Sequence, residues 1–160
     1  MTPTLYPHLL DQLKAENQSF EEFIHLLEHE ASVLAGDYTH TQIHDIATQK
    51  TAWHQHYAQQ QTQRQKLLQQ LELQDSVEAL QGLADQDPLF GAQLERLLAQ
   101  AARARELNQA NGALIHEYLA HHQQALNALE QLQPDSSGGT YDARGRRAQG
   151  GTGQRTQTQA

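Results

Sequence analysis

Apolar and small residues recur at helical spacing from Phe90 to Leu132. The positions are Phe90, Leu94, Leu97, Ala101, Ala104, Asn108, Asn111, Ile115, Tyr118, His122, Ala125, Leu129 and Leu132, in alternating steps of four and three. An unbroken register of this kind predicts one helix roughly 65 Å long at 1.5 Å per residue. No single compact core is that wide. The partners of such a helix must come from the same chain, from a copy of it or from another protein.

Two further long helices are predicted upstream. The first begins near Pro7, which suits a first-turn position, and ends at Gly36, which suits the residue after a helix end. Its stripe is Leu10, Leu13, Asn17, Phe20, Ile24, Leu27, Ala31 and Leu34. The second runs from about Asp37 to Glu72 with Ile43, Ile46, Lys50, Trp53, Tyr57, Gln60, Arg64, Leu67 and Leu71 inward. Its Gln-rich middle, Gln59 to Gln65, is expected to pack least tightly. Asp75-Ser76-Val77-Glu78 has the form of a capping box and opens a short segment, with Val77, Leu80 and Leu83 inward. Asp87 as cap and Pro88 at the first helical position then open the long helix, which Pro134 closes. Short connections make sequential helices antiparallel neighbours. The expected fold is all-α: an elongated antiparallel bundle or coiled coil of three long helices with a short extra helix. A helical domain over 1–133 is followed by a disordered Gly/Gln/Arg tail over 134–160, whose lone aromatic is Tyr141.

Composition narrows the function classes. The 26 glutamines, with abundant Ala, Leu and Glu, favour helix over strand. Residues 1–133 carry 7 basic and 17 acidic side chains, a net of −10, and such a body repels phosphate backbones, so no nucleic-acid partner is expected. Cysteine is absent, which removes disulfides, thiolate ligands and a Cys nucleophile. The start Met1 to His8 has neither a positive n-region nor an apolar h-region, and no apolar stretch approaches the ~20 residues that span a bilayer. A cytoplasmic protein without stable membrane insertion is the expectation.

Catalytic and metal chemistry find little support. Among the ten histidines, His25/His29 and His40/His44 are each one turn apart, but neither His25-Leu26-Leu27-Glu28-His29 nor His116-Glu117 forms the His-Glu-x-x-His of zinc enzymes. Glu22-Phe23-Ile24-His25 is a single Glu-x-x-His where a di-iron bundle needs two. No phosphate-binding Gly loop or nucleophile elbow occurs. The expectation is a non-enzyme with no cofactor and no metal. Asn108 and Asn111 are polar residues at core-type positions, which either specify register or belong to a face used by a partner. Gly112 costs a helix about 1 kcal/mol relative to Ala. It marks close approach of another backbone, from a partner or from a tight crossing within the chain.

The stretch Asn108-Gln109-Ala110-Asn111-Gly112-Ala113-Leu114-Ile115 resembles the signature of the FlgN family of flagellar export chaperones. The family is further resembled by the N-terminal helix with Glu28 and Glu30, followed by Leu34, Asp37, Ile43, Ile46 and Lys50. A tail element, Tyr141-Asp142-Ala143-Arg144-Gly145, also matches. The resemblance implies binding of the hook–filament junction proteins FlgK and FlgL through their terminal helices, and delivery to the export gate and its ATPase complex. It carries cargo contact to Asn111, Gly112, Leu114 and Ile115, with Tyr118, Leu119, Leu126 and Leu129 continuing the apolar face, and export-gate docking to Tyr141. The alternative from periodicity is a self-associating coiled-coil tether.

Overall fold

The computed structural model describes residues 5–132, and the expected tail with Tyr141 lies outside them. Four helices follow in order: α1 (Leu5–Leu34), α2 (His40–Gln70), α3 (Val77–Ala84) and α4 (Pro88–Leu132). No strand occurs among the described residues. By contacts the chain divides into two compact units, Met1–Tyr118 and Leu119–Ala160. The bundle is the first unit.

The predicted boundaries hold to within a few residues, and the caps explain the shifts. α2 starts later than expected because Thr39, not Asp37, caps it: its hydroxyl accepts from Gln42 N while Gln42 Oε1 accepts from Thr39 N, a complete capping box. At α3 the cap is Ser76, whose Oγ accepts from Ala79 N, and Asp75 is released for another task. Asp87 behaves as predicted, its Oδ1 accepting from Leu89 N at 2.9 Å. Its other oxygen accepts from Tyr6 Oη at 2.7 Å, tying the start of α1 to the start of α4. That hydrogen bond holds the Asp87 carboxyl below its ordinary range, and burial with the neighbouring carboxylate pushes the Tyr6 hydroxyl up.

α1 carries two buried arcs because it has a neighbour on each side. Toward α2, Gln12 donates to Gln60 O, Trp53 Nε1 donates to Ser19 O, and Lys50 reaches Glu30. Partner numbers fall on α2 as they rise on α1, so the two run antiparallel. Toward α4, Tyr6 meets Asp87, Asn17 donates to Gln93 O, Arg96 pairs with Glu21, and Asn111 donates to Leu27 O. Here numbers rise together, so α1 and α4 are parallel, as an up-down-up bundle requires. Leu9, Leu13, Phe20, Phe23, Leu27, Leu68, Leu80, Leu83, Phe90, Leu94 and Leu97 fill the core between them.

Two expectations change. The Gln-rich middle of α2 is not loose, because Arg64 is buried and pairs with the fully buried Glu16. The same guanidinium donates from Nε and Nη2 to the two oxygens of Asp75 at 3.0 and 3.3 Å, and Tyr57 Oη and Gln12 Nε2 add donors to Glu16. Burial pushes the Glu16 carboxyl up, which the Arg64 charge only partly offsets. Burial also works against the charge on Arg64, but Asp75 and Glu16 more than offset it and hold the guanidinium protonated.

The second change is in α4. Its inner face follows the predicted register through Phe90, Leu94, Leu97, Ala101 and Ala104, then continues on Leu107, while Asn108 is exposed. The buried face rejoins the predicted register at Asn111 and Ile115, so Leu107, three residues after Ala104 and four before Asn111, takes the place of polar Asn108.

Glycine separates into two cases. A Cβ on Gly91 would meet the Ala84 carbonyl at 3.3 Å, so the α3–α4 corner is where backbones approach closely. Gly112 is exposed, with nothing within 4 Å of an added Cβ, so no tight crossing within the described residues accounts for it. Gly112→Ala should therefore stabilise the chain by about 1 kcal/mol, and Gly91→Ala should forfeit that gain. Thermal melts of the two variants side by side test this.

Candidate functional site

α1 has 30 residues and α4 has 45, and the two start together. A parallel neighbour of that length runs out before α4 does. Near the end of the first unit the Tyr118 ring lies 5.1 Å from that of Tyr38 in the α1–α2 connection. Within the first unit, Leu114 is 45% and Tyr118 38% exposed, Ile115 is half-buried, and Gly112 is at the surface. In the second unit, Leu119, Leu126, Leu129 and Leu132 are 57%, 45%, 62% and 77% exposed. At 3.6 residues per turn, Leu119, Leu126, Leu129 and Leu132 of the second unit fall within roughly 140° of one another around the helix axis, and Leu114 and Tyr118 of the first unit lie within about 40° of each other. Soluble monomers seldom expose a continuous apolar stripe, and one at i, i+4 spacing suits an amphipathic partner helix.

Asn111 is not part of that open face. It is 1% exposed, and its Nδ2 donates to Leu27 O and to Glu30 Oε2, both at 2.8 Å. Glu30 also accepts from Lys50 Nζ at 3.1 and 3.3 Å. Three residues far apart in sequence, one from each long helix, thus form a polar clasp at the point where α4 begins to lose its cover. An Asn at this core position supplies the second donor a buried carboxylate needs. Asn111→Ala should cost about 1–3 kcal/mol by leaving Leu27 O and Glu30 short of a donor. Chemical denaturation measures the loss.

Among the described residues no group of three or more His, Asp or Glu side chains could hold a metal, and His25 faces Glu28 on the helix surface. No helix among them is long and apolar enough to cross a membrane. Residues 1–149 match the family model described as FlgN protein. The chain belongs to the FlgN family. No curated protein and no solved structure matches it. FlgN-family membership makes it a flagellar export chaperone in general terms, from a family of chaperones and not of enzymes. The FlgN family match spans residues of both units.

The resemblance singled out residues that prove to lie in two places. Glu30, Lys50 and Asn111 build the clasp, whereas Leu114, Tyr118, Leu119, Leu126 and Leu129 lie on the open stripe. Leu132, the last position of the predicted register and outside the residues the resemblance assigns to cargo, is the most exposed of the series.

Proposed function

We propose that this chain binds the terminal helices of FlgK- and FlgL-like hook-associated proteins in the cytoplasm, keeps them from aggregating and delivers them to the export gate and its ATPase complex. The observation that carries the proposal is the run of exposed leucines on the second unit's part of α4, Leu119, Leu126, Leu129 and Leu132, up to 77% exposed. A client's amphipathic helix laid along it would bury the i, i+3, i+4, i+7 face of each partner. Gly112, Leu114, Ile115, Tyr118, Leu119, Leu126 and Leu129 form the contact, with Asn111 beneath it holding α4 to α1. Gly112 leaves a gap in the side-chain layer through which a client backbone can come close.

Titration calorimetry against the C-terminal helical segment of the host's FlgK, with an unrelated amphipathic helix as control, tests this. Saturable, client-specific binding with a negative heat-capacity change supports it. Flat heats on folded protein overturn it and favour self-association through the same stripe. Tyr141 is the proposed docking group for the export gate. Tyr141→Ala should leave client affinity unchanged and block delivery, measured as client secretion in a complemented strain.

A further inference from the structure

Away from α4, a pocket of about 300 Å³ opens between α1 and α2, lined by Glu22, Phe23, Leu26, Gln49, Trp53 and His56. Its wall is held firmly. The Trp53 indole stacks on Phe23 with centroids 3.9 Å apart and planes at 7°, stacks on Tyr57 at 5.0 Å, and donates its N–H to Ser19 O at 2.7 Å. The acidic side chains of α1 are otherwise partnered: Asp11 with Lys14, Glu16 with Arg64, Glu21 with Arg96, Glu28 with His25 and Glu30 with Lys50. Glu22, on the pocket, has no ion-pair partner among the described residues.

We infer that this pocket takes an arginine side chain presented by a partner protein. An exposed carboxylate beside a fixed apolar wall asks for a ligand with an apolar stem and a cationic head. The methylene stem would cover Leu26 and the open part of Trp53 above the buried Phe23 ring, and the guanidinium fork would give two parallel N–H bonds to Glu22. Gln49 offers an amide oxygen for a further donor. A lysine has the charge but not the planar fork that suits a carboxylate at a flat aromatic edge. Over residues 1–133 the net charge of −10 draws basic partners toward this surface. The inference does not rest on the client-binding face of α4, from which the pocket residues are distinct.

Trp53 is the single tryptophan of the chain, so its fluorescence reports on the pocket directly. The full chain would be titrated with N-acetyl-arginine amide, with the neutral isostere N-acetyl-citrulline amide and with N-acetyl-lysine amide. Trp53 emission and the amide shifts of Glu22, Gln49 and His56 would be followed. Expected is saturable binding of the arginine probe with a Kd on the order of millimolar, and binding of the other two weaker by about tenfold. Glu22→Gln, at an exposed position, should weaken the arginine probe about tenfold with an unchanged melting temperature. An equal response to citrulline would remove the charge recognition, and an equal response to lysine would remove the guanidinium assignment. No saturable change, or shifts confined to other parts of the chain, would overturn the site itself.

Discussion

Replacing Arg64 with Met should lower the unfolding free energy by about 3–5 kcal/mol, seen as a lower urea midpoint at unchanged slope. The Glu16 side chain is fully buried, and Arg64 is its counter-ion. Removing the guanidinium leaves a buried carboxylate with only the Tyr57 and Gln12 donors. Asp75 loses the same partner but keeps some access to water, so most of the cost falls on Glu16.

The loss should depend on pH in a defined direction. Burial already places the Glu16 carboxyl above its ordinary value of 4.5, and without Arg64 the shift is larger. A group raised in the folded state contributes stability below its unfolded pKa and loses it as pH rises through the folded one. The Arg64→Met penalty should thus be largest at neutral pH and shrink toward 4.5, where Glu16 can take up a proton. Glu16→Leu combined with Arg64→Met should recover most of the loss, because an apolar pair of similar volume often replaces a buried ion pair at little cost. A penalty equal at both pH values would mean that Glu16 is not the residue left uncompensated.

Leu126→Asp combined with Leu129→Asp should abolish binding of the FlgK terminal segment, a loss of at least ~100-fold in Kd from two leucine burials of about 1.5–3 kcal/mol each. Both side chains are about half exposed in the free chain, at 45% and 62%, so helix content by circular dichroism should remain that of the parent. Loss of helix would place these residues in an internal core and remove the client assignment. Retained binding with intact helix would move the contact toward Leu114 and Tyr118.

Much of the fold was legible because helix periodicity is a local property. Every inward position predicted for the second helix is buried or half-buried, from Ile43 to Leu67 on α2 and Leu71 at its C-terminal cap, polar Lys50, Gln60 and Arg64 included. Leu13, Phe20 and Leu27 are buried on α1 as predicted. Those residues declare themselves by spacing alone, since burying one face of a 3.6-residue helix needs no knowledge of what covers it. The Pro88 start and the Asp87 cap are likewise local chemistry.

What pairs with what was decided only in three dimensions. Glu16, Arg64 and Asp75 lie on separate segments, and nothing in the Gln-rich run around Arg64 announces that its side chain neutralises a carboxylate on another helix. Asn111 read as either a register residue or a partner contact. Its donors to Leu27 O and Glu30 show it tying α4 to α1, because a buried carboxylate held by Lys50 still required a second donor. The close crossing within the chain lies at Gly91, and Gly112 is left open at the surface. The sequence by itself determined which helices form and which face of each is apolar, since both follow from neighbouring residues along the chain. Only the tertiary structure decided where the covered part of that face ends and the open part begins, because this depends on the parallel alignment of α1 with α4 and on the shorter helix running out first.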